Sequence, residues 1–275
     1  MAVHGISGGT PHYLTFFDDN MSIEQNIAKN FLSPEGYLFE ETLNLMKQEC
    51  REPAMYNAII RAIASGSSRL SEIASKVGIE TGSCSNYINT LISLGIVKKE
   101  TPFGAKANRR TSYSIADGMF RFWYRFVLPN MAAVQQGAKE QVLSRIMPQL
   151  PAFLGSTFEE ACKEWLWREN LLRQLPFSFT DLGRWWGNDP LKKSEAEIDI
   201  IAEGDDKEAL FAECKWTNDD VDLSVLESLS GRSEIFRYPR KHLYIFAKRG
   251  FTSGCQERAA EMGNVSLISY ADLLE

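Results

Sequence analysis

The chain has 275 residues, of which 44% are hydrophobic and 24% are charged, and its formal net charge is −6. This length accommodates one large domain or two to three smaller ones, and the composition is typical of a globular protein. The long uncharged run at residues 81–97 is rich in Ser, Asn and Gly, so we expect no membrane span, and the first residues do not resemble a secretory signal. Five widely separated cysteines and three scattered histidines argue against a disulfide framework or a histidine-based metal site and predict a cytoplasmic location.

Basic residues are concentrated in the middle of the chain. Residues 51–130 contain eleven Lys and Arg and only five Asp and Glu, so this segment is positive and the remainder is strongly negative. A charge asymmetry of this kind predicts that the middle segment binds a polyanion, although the whole chain is acidic.

The first 50 residues predict a loop at "GISGGTP" and then short helices, with Ile23, Ile27 and Phe31 at helical spacing. This segment is too small for a core of its own. We therefore expect a helical extension that packs on another part of the chain.

The next segment has the element order of a winged helix-turn-helix. Three short helices are predicted, "AMYNAIIRAIASG", "SRLSEIASKVG" and "GSCSNYINTLISLG", and a basic strand–loop–strand follows them. The third helix carries no charge and leaves short polar side chains outward, which suits base edges, whereas the basic hairpin suits phosphates. The predicted DNA-binding residues are Ser83, Ser85, Asn86, Tyr87, Asn89, Lys98, Lys99, Lys106, Arg109 and Arg110. The alternative is a winged helix that mediates protein contacts.

An aromatic run, "FRFWYRF", follows and predicts a buried helix. Residues 131–155 predict a linker helix with Pro148, Pro151 and Gly155 as breakers.

From residue 156 onward the pattern predicts an α/β domain. A helix and an aromatic loop come first, and then the strands "EAEIDIIAE" and "ALFAECKW", which a short turn joins as a hairpin. Two further strands alternate with helices, so some of the pairing is expected to be parallel.

Acidic residues interrupt the two hairpin strands. Asp199 lies in the first strand, and Glu213 and Lys215 share one face of the second, so the hairpin would bring all three together. Glu159, on the preceding helix, would add a third carboxylate. Converging carboxylates favour a hard cation, so the sequence predicts Mg²⁺ or Mn²⁺ held by Asp199, Glu213 and Glu159, with Lys215 as a fourth catalytic residue. The alternative is an edge strand whose Glu and Lys simply face water.

The sequences "EIDI" and "ECKW", preceded by "FEEAC", resemble the PD-(D/E)XK nuclease superfamily, with Ile198 in place of the proline. The stretches "GGTPHYL", "YNAIIRAIASG", "LSEIASKVGI", "NYINTLISLGIV" and "FRFWYRF" also resemble the C-terminal two-thirds of an archaeal and bacterial ATPase family. In that family a P-loop AAA+-type ATPase precedes a winged helix and a nuclease-like domain. The resemblance implies an ATPase-lid tail at 1–50, a winged helix at 51–130, a linker helix at 131–155 and a nuclease-like domain at 156–275.

No G-x-x-x-x-G-K-[ST] motif occurs in the chain, so we expect no ATP site in it. The fold class expected is therefore multi-domain α/β, with DNA and a P-loop ATPase domain or subunit as partners, a possible homo-oligomer, and no membrane. Three functions remain open: a Mg²⁺-dependent deoxyribonuclease, a non-catalytic DNA-binding and assembly module with a degenerate nuclease fold, and a transcription regulator with a ligand-sensing domain.

Overall fold

The structure is a computed structural model that describes residues 1–105, 110–190, 192–205 and 207–274. The chain forms two compact units. The first comprises residues 1–100 and 111–150, and the second comprises residues 101–110 and 151–275. Among the described residues, no helix is both long and apolar enough to cross a membrane.

The first unit is mostly helical. Its elements are α1 (Ala2–Ser7), α2 (Pro11–Leu14), α3 (Ile23–Asn30), α4 (Tyr37–Glu49), α5 (Pro53–Ala64), α6 (Leu70–Val77), α7 (Thr81–Ser93), β1 (Val97–Glu100), β2 (Ser112–Ile115), α8 (Gly118–Phe122), α9 (Met131–Gln135) and α10 (Lys139–Ile146). The expected loop at "GISGGTP" is wrong in part, because residues 5–7 form the end of α1.

Helices α5, α6 and α7 and the antiparallel β1–β2 hairpin follow the predicted winged-helix order. Pro53 opens α5, where its missing N–H costs nothing. Gly78 ends α6 with φ 79°, a left-handed conformation that favours glycine. The inward residues of α7 are Cys84, Ile88 and Leu91, which are buried as the helical spacing predicts.

The N-terminal segment shares the core of this unit. Phe31 and Phe122 pack edge to face, with ring centroids 4.9 Å apart. The fully buried Trp123 donates a hydrogen bond from Nε1 to the carbonyl oxygen of Phe39, at 2.7 Å. The aromatic run is thus core, as its spacing predicts, and residues 123–127 form a π-helix directly after α8.

The second unit is an α/β layer structure. It contains α11 (Leu150–Leu171), β3 (Phe179–Asp189), β4 (Ser194–Gly204), β5 (Glu208–Lys215), α12 (Leu223–Ser233), β6 (Arg240–Ala247), α13 (Ser253–Met262) and β7 (Val265–Ser269). The five strands form one sheet in chain order, antiparallel from β3 to β5 and parallel from β5 to β7. The multi-domain α/β class with a helical N-terminal region is confirmed.

Two local expectations in this unit are wrong. The expected aromatic loop is strand β3, because its residues pair with β4 over most of their length. The expected break at Pro151 and Gly155 does not occur, since α11 starts at Leu150 and continues through both. Proline is tolerated in the first turn of a helix, where its nitrogen needs no partner.

An irregularity in β4 positions the candidate site. Gly183 pairs with Ile201 and Trp185 with Ile198, so β4 contributes one extra residue between these pairs. The extra residue reverses the alternation of side chains, and Ile198 and Ile201 both enter the core that the sheet forms with α12 and α13. Asp199 lies inside this bulge.

Candidate functional site

The hairpin of β4 and β5 brings Asp199 next to Glu213, as the sequence predicts. Regular pairing reaches Ile200 and Ala212. Just beyond that pair, Asp199 Oδ2 accepts a hydrogen bond of 2.8 Å from the backbone N–H of Cys214. The carboxylate of Asp199 therefore lies against the strand that carries Glu213 and Lys215.

Glu213 is a buried carboxylate with a cation on each oxygen. Its residue is only 5% exposed, and its neighbour Phe211 is fully buried in the core beneath α12. Lys215 Nζ lies 2.6 Å from Oε1, and Arg232 Nη2, from the last turn of α12, lies 2.7 Å from Oε2. Glu213 and Lys215 thus form a direct ion pair, and the interpretation that both simply face water does not apply to Glu213.

The pKa values indicate that burial, together with neighbouring negative charge, disfavours ionised carboxylates here. Burial, and after it the charge of Glu213, raise the pKa of Asp199 to about 7, against an opposing contribution from the Cys214 N–H. Burial raises the pKa of Glu159 as well, although Arg184 and Lys163 oppose the change. An added positive charge at this position is therefore favourable.

Lys215, in contrast to Asp199, is held in its charged form. Burial disfavours its charged form, but the hydrogen bond that it donates to Glu213 and the charges of Glu213 and Asp199 outweigh burial and raise its pKa. Lys215 therefore stays protonated at neutral pH. It is suited to stabilise negative charge and is unsuited to act as a base.

Glu159 approaches from α11. It is half-buried, and its charge contributes to the raised pKa of Asp199. The structure thus brings Glu159, Asp199, Glu213 and Lys215, the four residues predicted for catalysis, into one electrostatically coupled group.

Three further residues belong to this group and were not predicted from the sequence: Arg184, Glu197 and Arg232. Arg184 on β3 donates from Nε to Glu197 Oε1 at 2.6 Å, and its charge interacts with those of Glu159 and Asp199. Glu197 lies two positions before Asp199 on the same strand, and this alternation of acidic residues is visible in the sequence. Arg232 lies among the acidic and polar residues of α12, and nothing in the sequence distinguishes it.

The residue types fit a hard divalent cation, because the charges of Glu213 and Glu159 both act on Asp199, and two of these three carboxyl groups have raised pKa values. As the side chains stand, the described part of the chain contains no group of three or more His, Cys, Asp and Glu positioned to hold a metal ion. Both oxygens of Glu213 are engaged by cations of the chain itself. A metal bound by Glu213 would therefore have to displace Arg232 or Lys215 from one of its oxygens.

The predicted DNA-contacting side chains of α7 are mostly accessible. Ser83, Asn86 and Asn89 are exposed, and Ser85 is half-buried. The hydroxyl of Tyr87 donates a hydrogen bond to Glu52, so this side chain already has a partner. The exposed face of α7 is thus neutral and polar, as the sequence predicts.

The basic residues near this helix differ in their surroundings. Lys98 is half-buried and lies 3.3 Å from Glu100, whereas Lys99 is exposed. Arg110 is exposed and lies close to Gly187, and Lys106 and Arg109 lie outside the described residues.

The segment from Thr101 to Arg110, which joins β1 to β2, belongs to the second unit. The backbone N–H of Phe103 donates to the carbonyl oxygen of Arg184 at 2.8 Å, and its ring packs on the core beneath α12. This part of the expected wing is therefore held by β3.

The sequence of the chain is similar to sequences from archaea and bacteria. A family described as archaeal and bacterial proteins of unknown function matches residues 123–227. An uncharacterized protein of Methanocaldococcus jannaschii is 32% identical over 216 residues, which are 78% of this chain and 47% of that protein. The chain thus spans about half the length of this curated relative.

Proposed function

We propose that this chain binds DNA through its helix-turn-helix and hydrolyses phosphodiester bonds, with Mg²⁺ or Mn²⁺, at the acidic cluster of the second unit. The observation that carries the proposal is the convergence of Asp199, Glu213 and Glu159 beside Lys215. Burial, and after it the charge of Glu213, raise the pKa of Asp199 to about 7, and a carboxyl perturbed in this way supports a functional role.

Each residue of the cluster has a role in this proposal. Asp199, Glu213 and Glu159 would hold the metal, and a bound Mg²⁺ polarises the phosphoryl oxygen and lowers the pKa of a bound water. The Cys214 N–H fixes one oxygen of Asp199. Lys215, kept protonated by Glu213, stabilises the extra negative charge of the pentacovalent phosphate.

A plasmid-nicking assay with Mg²⁺ or Mn²⁺ tests this function. The full chain is expected to nick supercoiled DNA, and Asp199→Ala and Lys215→Ala are expected to lose this activity. Asp181→Ala, an exposed carboxylate on β3, serves as the matched control and should retain it. Equal nicking by all four proteins would indicate a contaminating nuclease and contradict the proposal.

The proposal extends to a P-loop ATPase domain or subunit as a partner, supported by the motif resemblance and by a relative about twice as long as the stretch it shares with this chain. It also includes a reduced, cytoplasmic environment, which the five free cysteines support. Co-purification of tagged chain with an ATPase from the source cells, compared under reducing conditions with an untagged control, tests the partner.

A second candidate function is a non-catalytic DNA-binding and assembly module. The occupation of both Glu213 oxygens by Lys215 and Arg232 favours it, because such a carboxylate needs no metal. Calorimetric titration with Mn²⁺ separates the two functions. Site binding that Glu213→Gln abolishes supports catalysis, and heat changes that this substitution leaves unaltered support the assembly module.

A further inference from the structure

The buried carboxylate of Glu213 needs a positively charged partner. It is 5% exposed, and a lone ionised carboxylate at such a site carries a large desolvation cost. Lys215 satisfies only one of its two oxygens. The second oxygen requires a metal ion or another hydrogen-bond donor.

Arg232 supplies that donor, and it is firmly anchored. Its Nη2 lies 2.7 Å from Glu213 Oε2, its Nη1 donates to the Glu197 carbonyl oxygen at 2.5 Å, and its Nε donates to the Ser228 carbonyl oxygen at 3.3 Å. The guanidinium thus joins three elements, β4, β5 and the helix α12 that carries it. Its side chain is only 17% exposed, so water screens these contacts weakly.

A metal ion and this guanidinium compete for the same oxygen. The two positive charges would repel each other at a distance of a few Å, and the partly buried setting makes such repulsion strong. Lys215 is two residues from Glu213 on the same strand, whereas Arg232 reaches Glu213 from the separate helix α12 through a long side chain that has other rotamers. Arg232 is therefore the group that gives way.

We propose that Arg232 is an internal counter-cation that occupies Glu213 in the metal-free chain and has to leave before a divalent metal binds there. The inference rests on the proposed metal site. It assigns the control of metal affinity to Arg232, so that a contact that draws this guanidinium away from Glu213 would favour the metal-bound form.

Calorimetric titration of the full chain with Mn²⁺ alone tests the competition. Arg232→Met removes the charge but keeps an apolar stem, and we expect it to bind Mn²⁺ about tenfold more tightly than wild type or better, because the repelling charge is gone. Arg232→Lys keeps the charge and is expected to stay near wild type. Arg237→Met removes an exposed charge five residues further along and should change nothing.

The outcomes separate this inference from the proposed function. Equal Mn²⁺ affinity in wild type and Arg232→Met would overturn the inference and leave the metal site intact. Binding by Arg232→Met but not by wild type would support the inference and overturn catalysis by the natural chain. No binding by either protein would overturn both.

A measurement on the wild-type chain keeps the test valid if Arg232→Met does not fold. The Nε–H resonance of Arg232, assigned through Arg232→Lys, is expected to shift towards the value of a free arginine when Mg²⁺ saturates the site. An Nε–H resonance that stays unchanged while Mg²⁺ binds would overturn the inference.

Discussion

Replacing Asp199 with asparagine removes one negative charge from the acidic cluster and keeps an oxygen that can accept the hydrogen bond from the Cys214 N–H. Because burial and the charge of Glu213 raise the pKa of Asp199 from 3.8 to about 7, its ionised form is less stable in the folded chain than in the unfolded chain. We therefore expect Asp199→Asn to stabilise the metal-free protein at neutral and alkaline pH.

The sign and size of this effect follow from linkage. Between pH 4 and pH 7 the folded chain binds more protons at Asp199 than the unfolded chain does, so the free energy of unfolding falls as the pH rises. The full pKa difference corresponds to at most about 4 kcal/mol above pH 7. Asp199→Asn removes this loss, so its advantage over wild type should grow by up to about 3 kcal/mol between pH 5 and pH 8.

Urea unfolding at pH 5 and pH 8 in the presence of EDTA measures the difference. Tryptophan fluorescence reports mainly on the second unit, because five of the six tryptophans lie in residues 151–275. Asp181→Asn, on an exposed carboxylate of β3, is the control and should change the free energy of unfolding by less than about 0.5 kcal/mol. The reasoning would be refuted if Asp199→Asn were less stable than wild type at pH 8. It would also be refuted if the difference in free energy of unfolding between the two proteins were the same at both pH values.

Three further predictions concern the two units separately. Lys99→Ala should weaken DNA binding and lower the slope of log affinity against log salt by about 1, measured by fluorescence anisotropy at several salt concentrations; an unchanged slope would place β1 away from the phosphates. Asn89→Ala should reduce discrimination between a sequence selected by the wild-type protein and its single-base variants by about 1–3 kcal/mol. Equal loss of affinity for all of these sequences would contradict a base contact by Asn89. Phe211→Ala should lower the free energy of unfolding by about 3–5 kcal/mol in urea titrations, because this side chain is fully buried; a loss below about 1 kcal/mol would contradict its place in the core.

The sequence predicted those parts of the candidate site that depend on local pattern. Alternation in β5 placed Glu213 and Lys215 on one face, and the short turn before β5 made Asp199 a neighbour. Both predictions require only the two-residue period of a strand and the antiparallel pairing of a hairpin. The winged-helix order of α5 to β2 was predictable for the same reason, since each element carries its own period and its own termination signal.

The parts that the sequence did not predict depend on distant contacts. Arg232 reaches Glu213 and Glu197 across 19 and 35 residues, so its role depends on how α12 packs on the sheet. Strand β3 was predicted to be a loop, and in the structure its residues are mostly half-buried with no clean alternation. Its partner β4 makes it a strand, and pairing between strands cannot be read from one segment alone.

The amide of Cys214 takes its acceptor from a side chain, the carboxylate of Asp199, where the regular ladder of the hairpin has ended. An oxygen at position 199 thus stabilises the end of the hairpin whether or not the chain cleaves DNA. A protein of this fold without catalytic activity would still be stabilised by it. The presence of an acid at position 199 is for that reason weak evidence of catalytic activity. The amine of Lys215 donates to a carboxylate and, among its described contacts, to no backbone group. The presence of this amine is therefore stronger evidence of catalytic activity.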